Sequence, residues 1–170
     1  MYDKSYKEYL EHITTFVFDV DGVLTNGSIL ITSEGEELRN MNIKDGYAIR
    51  TAINQGFKVC IISAGRNKGV KKRMQYLGVK DIHLEVKDKT EVLENYVAKH
   101  QLKYENLIYI GDDLPDYPAM QKVGLPCAPQ DAVPEIKAIS KYVSHKKGGK
   151  GCVRDVIEQV LKVQGKWMVN

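Results

Sequence analysis

Apolar positions along the chain fall into two alternating patterns. Short runs rich in β-branched and aromatic residues recur at 15–18, 57–62, 81–84 and 107–110, with a weaker one at 141–144. Runs of this length, closed by Gly, Asp and Ser, read as buried strands. Between them, residues 46–55, 67–77, 89–100 and 115–123 carry apolar side chains at helical spacing. Strands alternating with amphipathic helices predict an α/β fold, a parallel sheet flanked by helices on both faces. Ligands in such sheets bind at the carboxyl ends of the strands. Most of the polar clusters in this chain fall at or just after such an end.

One segment breaks the alternation. Gly27–Thr32, the turn Ser33-Glu34-Gly35-Glu36, and Glu37–Ile43 read as a β-hairpin flap covering about residues 27–43. It would project from the carboxyl edge of the sheet, either as decoration or as an oligomer contact that walls a site. No internal repeat, low-complexity tract or linker interrupts the chain, so its 170 residues predict a single domain, 1–170.

Composition narrows the picture only a little. The chain is 43% hydrophobic and 28% charged, ordinary for a soluble globular protein. The formal charge of +3 is too small to argue for nucleic acid and weakly suits a site that receives anions. Cys60, Cys127 and Cys152 are odd in number and widely spaced, which predicts neither disulfides nor a thiolate metal site. No apolar run approaches membrane-spanning length, and Met1–His12 is polar without a signal-peptide core. A cytoplasmic protein with no membrane or nucleic-acid partner is the expectation.

Chemistry enters where the first run ends. Thr15-Phe16-Val17-Phe18 leads straight into Asp19-Val20-Asp21-Gly22, two carboxylates one residue apart at a buried strand tip. Uncompensated carboxylates there are costly unless a cation or a reaction needs them. The run Leu107–Ile110 ends the same way, in Gly111-Asp112-Asp113-Leu114-Pro115-Asp116. Oxygen-only ligands without His or Cys suit a hard cation, and Mg²⁺ with phosphate is the usual pairing. Cys60–Ile62 ends in Ser63-Ala64-Gly65. Ser63 there could bind an anion at the next helix's start or simply cap that helix. Lys89 opens the helix that runs to His100, where it opposes the helix dipole. A local anion would explain it, and so would plain solvation.

Taken together, Asp19-Val20-Asp21-Gly22-Val23, Ser63, Lys89 and Gly111-Asp112-Asp113 resemble the four ordered motifs of the haloacid dehalogenase (HAD) superfamily. The resemblance implies a Rossmann-like core and a phosphoaspartyl mechanism. Asp19 would then be the nucleophile and Asp21 the proton donor and acceptor. Mg²⁺ would be held by Asp19, the main-chain carbonyl of Asp21, and Asp112, with Mn²⁺ or Co²⁺ open as working metals. Ser63 and Lys89 would hold the phosphoryl oxygens, and Asp113 would orient Lys89 or a metal-bound water. The second acid favours phosphomonoester hydrolysis, because carbon–halogen cleavage needs no proton donor at that position. A P-type transport ATPase is excluded by the lack of membrane spans.

Spacing narrows the subclass. About forty residues separate Asp19 from Ser63 and about twenty-five separate Ser63 from Lys89, leaving no room for a cap domain. An uncapped site stays open to water unless a neighbouring subunit covers it, and the expectation is a homo-oligomer, a tetramer. Within the superfamily, Asp21–Thr25 with Gly27, Asn42–Tyr47 with Arg50, Gly111–Asp116 and Gly148–Arg154 are similar to the 3-deoxy-D-manno-octulosonate 8-phosphate (KDO 8-phosphate) phosphatase family. That resemblance implies a small tetrameric enzyme of lipopolysaccharide synthesis acting on a sugar-acid phosphate. Its substrate site would draw on Asp21, Asn42, Ile43, Lys44, Asp45, Gly46, Arg50, Arg73 and Lys89. Arg50 and Arg73 suit a dianionic substrate, or are solvated helix arginines.

The chain departs from that family after Ser63. Many members carry Gly-Arg there, whereas this sequence has Ala64-Gly65 with Arg66 one place late. Either Arg66 supplies the guanidinium, or a wider pocket takes another acid sugar, as in nonulosonate 9-phosphate phosphatases. A catalytically idle HAD domain that binds a sugar phosphate or regulates a partner is the alternative of a different class; intact Asp19 and Asp21 argue against it. Lys146–Gly151 reads either as a flexible basic loop or as backbone that approaches a phosphate or a neighbouring subunit closely.

Overall fold

Phe16 and Phe18 face one side of the first strand and Val17 the other, and this period-two alternation assigns each side its own core. In the computed structural model, which describes residues 5–168, the strands are β1 (Thr15–Phe18), β2 (Leu30–Ile31), β3 (Glu37–Leu38), β4 (Lys58–Ile62), β5 (Asp81–His83), β6 (Leu107–Ile110), β7 (Leu125–Ala128) and β8 (Tyr142–Val143). The α-helices are α1 (Tyr6–Leu10), α2 (Ile43–Asn54), α3 (Lys68–Leu77), α4 (Lys89–Lys99), α5 (Tyr117–Met120), α6 (Pro134–Ile139) and α7 (Cys152–Val163). Met1–Lys4 and Val169–Asn170, the ends of the 1–170 domain read from the sequence, lie outside the described residues.

Six strands form one sheet in the order β5-β4-β1-β6-β7-β8, every pair parallel. Helices α2, α3 and α7 cover the Phe16 and Phe18 face through Ile49, Met74, Val156 and Ile157. Helices α4, α5 and α6 cover the Val17 face through Leu93, Tyr96, Met120 and Ile136. All four residues of β1 are buried, as are those of β6 beside it. Strands buried on both faces read as continuous apolar runs, which is why these two were legible.

The hairpin is narrower than the sequence suggested. β2 and β3 pair antiparallel outside the main sheet, and a lone bridge joins Thr25 to Met41. Residues 42–43 belong to α2 instead, because the Asn42 side chain accepts from the Lys44 N–H at 2.8 Å and caps the helix. The helical pattern at 115–123 resolves into a 3-10 turn over Leu114–Asp116 and the short α5. β7 went unpredicted because Pro126 at its centre reads against a strand. Also unpredicted were α1, α6 and α7. Between Asp19 and Ser63 lie only the hairpin, α2 and β4, and between Ser63 and Lys89 only α3 and β5, so no cap domain interrupts the core. Among the described residues no helix is long and apolar enough to cross a membrane.

The glycine-rich segment before α7 settles against the chain's own first loop. The Gly149 N–H donates to the Val23 carbonyl at 2.9 Å, and the Gly148 N–H to Asp131 Oδ1 at 2.9 Å. A Cβ on Gly148 would lie 1.8 Å from the Gly22 carbonyl oxygen, so only glycine fits. Gly148→Ala must push the loop after β1 aside, at about 1–3 kcal/mol. A urea titration should show a lower midpoint with an unchanged m-value, and an unchanged midpoint would show that the contact is slack.

Candidate active site

Parallel pairing brings the three motif strands level. Phe18 stands opposite Ile61 of β4 and Ile110 of β6, so the residues that follow them leave the sheet side by side. Asp19 follows β1, Ser63 follows β4, and Gly111-Asp112 follows β6. Lys89 opens α4, whose N-cap is Asp88, accepting from the Thr90 and Glu91 N–H groups. The Asp88 carboxylate and the α4 amides therefore satisfy each other, leaving the lysine free to turn inward.

Lys89 is only 6% exposed and sits between two carboxylates. Its Nζ lies 3.0 Å from Asp19 Oδ1 and 2.7 Å from Asp116 Oδ1. Asp116 also accepts from the Tyr109 hydroxyl at 2.9 Å and from the Asp112 N–H at 3.1 Å. Asp19, Asp112 and Asp116 each bring a carboxylate oxygen within 4.8 Å of the others. Three carboxylates against one ammonium leave a formal charge of −2 in a largely buried place. Burial, then repulsion from Asp116, pushes the Asp19 carboxyl up to about 8 despite Lys89. Burial and Asp116 likewise push Asp112 up to about 7. Burial alone would lower the Lys89 ammonium, but Asp19 and Asp116 hold it above its ordinary value.

This excess of negative charge fits a divalent cation. Asp116 has both oxygens taken by hydrogen bonds, so Asp19 and Asp112 are the carboxylates left to bind one. Gly22 makes the approach of Asp112 feasible. At φ +91° it takes a left-handed turn, and a Cβ there would lie 1.9 Å from Asp112 Oδ2.

Asp21 lies apart from that cluster. Both of its oxygens are gripped by Arg39, from the strand-end of the hairpin, with Nε donating to Oδ1 at 2.7 Å and Nη2 to Oδ2 at 3.1 Å. Arg39 was missed in the sequence because a lone arginine after a hairpin carries no motif. Ser63 is 2% exposed, and its Oγ accepts from the Gly65 N–H at 3.1 Å. It does not cap α3, whose N-cap is Asn67, accepting from the Val70 N–H. Asn67 also ties the hairpin down, donating from Nδ2 to the Glu37 carbonyl at 2.7 Å. A cleft of about 870 Å³ opens between hairpin and loop, lined by Leu38, Arg39, Gly65, Arg66 and Asn67. Another groove, near Glu8, His12, Phe57 and Asn106, lies at the opposite ends of the strands.

The remaining sequence candidates take other places. Asp113 is exposed and its carboxylate accepts from the Leu114 N–H, while the partner of Lys89 is Asp116. Asn42 caps α2, Ile43 is 78% exposed, and Lys44 is exposed. Asp45 is buried and accepts from the Arg154 N–H at 2.8 Å, capping α7. Gly46 is packed so closely under Arg73 that a Cβ would come within 2.7 Å of Nη2. Arg50 donates to the Tyr76 carbonyl at 2.5 Å and stacks on its ring. Arg66 points outward, its side chain 81% exposed and 3.5 Å from Glu85.

Comparison with known proteins places this geometry. Residues 81–157 match the family model of haloacid dehalogenase-like hydrolases. The chain is 40% identical over 156 residues to the 3-deoxy-D-manno-octulosonate 8-phosphate phosphatase KdsC of Salmonella typhi, covering 92% of this chain and 83% of that protein. The crystal structure of the Yersinia pestis 3-deoxy-D-manno-octulosonate 8-phosphate phosphatase superimposes with a TM-score of 0.93 at 37% identity, covering 96% of this chain and 88% of that one. The Moraxella catarrhalis phosphatase, solved with magnesium ion, phosphate ion and KDO, superimposes with a TM-score of 0.91 at 32% identity, covering 94% of this chain and 92% of that one.

Both raised carboxyls make a signed prediction. Their folded values, about 8 and about 7, exceed the ordinary 3.8, so their contribution to stability is full in acid and is lost as pH rises through those values. The chelated protein should melt at falling temperature from about pH 4 to about pH 8 and level off above that. Mg²⁺ should cancel the fall, since metal binds only the ionised ligands. Asp112→Asn should flatten the chelated curve. A wild-type melting temperature indifferent to pH without metal would contradict the electrostatics described.

Proposed function

The chain belongs to the KDO 8-phosphate phosphatase family of haloacid dehalogenase-like hydrolases, and from that membership we propose that it is a single-domain cytoplasmic phosphomonoesterase releasing phosphate from KDO 8-phosphate for lipopolysaccharide synthesis. The observation that carries this reading is the buried Asp19–Lys89–Asp116 arrangement beside Asp112, with a second acid, Asp21, two residues after the first. A module that merely binds a sugar phosphate has no use for both Asp19 and Asp21.

Each residue then has a defined step. An Asp19 carboxylate oxygen attacks phosphorus as the bond from phosphorus to the sugar oxygen breaks, and Asp21 gives that oxygen its proton. A water then attacks the aspartyl phosphate and yields its proton to Asp21, while the bond between Asp19 and phosphorus breaks and releases inorganic phosphate. Lys89 and the Ser63 hydroxyl hold phosphoryl oxygens as charge develops. A divalent cation bound by Asp19, Asp112 and the Asp21 carbonyl would supply the positive charge that lets a phosphate dianion approach a carboxylate. Magnesium is the cation present with phosphate and KDO in the Moraxella catarrhalis relative.

The test is a panel of kcat/KM values for KDO 8-phosphate, a nonulosonate 9-phosphate and mannose 6-phosphate, with Mg²⁺ and with chelator. KDO 8-phosphate should lead the panel, and chelator should stop turnover. Asp19→Asn should show no turnover, and Asp21→Asn should lose about 10²–10⁴ in kcat. Equal rates with and without metal would sink the mechanism, and preference for the nine-carbon substrate would replace the assignment.

We also propose a homotetramer built through the hairpin. Leu30 and Ile31 are 67% and 68% exposed on a two-stranded ribbon whose outer edges are unpaired among the described residues. Exposed apolar edges of that kind invite pairing with another copy. Leu30→Ser with Ile31→Ser should convert the oligomer to monomer in light scattering; a wild type that is monomeric at working concentration would reject the assembly.

A further inference from the structure

Arg39 is the charged residue that the hairpin drives deepest into the site. Its side chain is 4% exposed, although the strand it leaves, β3, is exposed along its length. The planar fork holds Asp21 through both oxygens, and Nη2 also donates to Glu37 Oε2 at 3.0 Å. Its remaining terminal nitrogen, Nη1, is buried and has no hydrogen-bond partner among the described residues. A buried guanidinium nitrogen without an acceptor is unusual in a folded protein and asks for an explanation.

Gly65 shows what surrounds that fork. A Cβ at this position would lie 3.0 Å from Asp21 Oδ2, 3.3 Å from Ser63 Oγ and 3.5 Å from Arg39 Nη2. The proton-transfer carboxylate, the phosphoryl-binding hydroxyl and the guanidinium therefore converge on a spot that the glycine leaves open. Arg66, the cation nearest in sequence, turns to solvent and pairs with Glu85. The guanidinium facing the site comes from the hairpin.

A carboxylate gripped through both oxygens cannot turn toward a leaving group without breaking at least one contact. Carboxylate and phosphate oxyanions both match the guanidinium fork. Exchanging Asp21 for a substrate oxyanion replaces the two charge-assisted bonds of the fork, and a further substrate oxygen would give Nη1 an acceptor. Resting on the proposed phosphatase reading, we propose that Arg39 is both a positioning residue for Asp21 and the reader of a substrate oxyanion. Without substrate it clamps Asp21. When the phosphorylated acid sugar enters, the fork passes to a substrate oxygen and Asp21 is released to face the leaving oxygen. Glu37 on Nη2 and Asn67 on the Glu37 carbonyl keep the hairpin in place during the exchange.

The experiment compares wild type, Arg39→Ala, Arg39→Gln and Arg39→Lys, with Mg²⁺, on KDO 8-phosphate and on mannose 6-phosphate, which lacks the carboxylate. Arg39→Ala and Arg39→Gln should raise KM for KDO 8-phosphate about 10- to 100-fold, the loss expected for one charged hydrogen-bonding partner, with kcat changed far less. Lysine should recover only part, because an ammonium cannot fork. Methylguanidinium added to Arg39→Ala should lower KM again, which a purely structural role would not allow. A KM rise confined to KDO 8-phosphate identifies the carboxylate as the receiving oxyanion; an equal rise on both substrates identifies the phosphoryl group. KM values within about twofold of wild type on every substrate turned over, or an equal kcat loss in all three variants at constant KM, would overturn the proposal. Wild-type turnover of KDO 8-phosphate in the same panel tests the proposed function by itself, while the variant ratios on either phosphate test Arg39.

Discussion

Three carboxylates converge on one lysine at the carboxyl edge of the sheet, and this crowding of like charge is the constraint that the rest of the structure serves. Lys89 answers part of it, and the Tyr109 hydroxyl and Asp112 N–H answer more by binding Asp116. What is left uncompensated is concentrated on Asp19 and Asp112, the two carboxyls displaced furthest from ordinary values. A site so arranged is unstable as an isolated object and depends on a rigid frame. The frame is the fully buried pair β1 and β6, whose register fixes the spacing of the acids before any side chain moves. Buried charge that costs stability without a ligand is a common signature of a site adapted to a cation and an anionic substrate.

Much of this was legible in the sequence, and the limits follow from physics. Strands buried on both faces announce themselves as apolar runs, so 15–18 and 107–110 were read to the residue. Carboxylates stand out when they end such a run, which exposed Asp19, Asp21 and the Asp112–Asp116 group. The role of Asp116 was harder to see. Asp113 and Asp116 are equivalent on paper, and only the 3-10 turn at Leu114–Asp116 decides that one reaches Lys89 while the other caps the turn from solvent. Arg39 was invisible for a different reason: its importance lies in a contact with Asp21 across eighteen residues of hairpin, and no local spacing encodes that. β7 hid behind Pro126, and α7 behind a glycine-rich lead-in that read as a loop.

The hairpin and the core obey different rules. Core positions are set by burial on both faces of a sheet, so few arrangements satisfy them. The hairpin holds to the core through few polar contacts, among them Arg39 with Asp21, Asn67 with Glu37, and the bridge from Thr25 to Met41. Such contacts can be exchanged for others of the same kind, whereas a packed aromatic cannot. The hairpin is therefore the part of the molecule whose interactions are the most replaceable.

The contact of Gly148 with Gly22 bears on how the molecule comes into being. The loop that carries Asp21 rests on backbone more than a hundred residues later in the chain, with the Gly149 N–H donating to Val23 and a glycine required at Gly148. Contacts of such long sequence separation close late in folding. During synthesis, β1, β4 and β5 can emerge and pair while the acidic loop still lacks its wall. The loop that carries Asp21 is thus held in its final place only after nearly the whole chain has been made, so a truncated product would carry the motifs without a finished site.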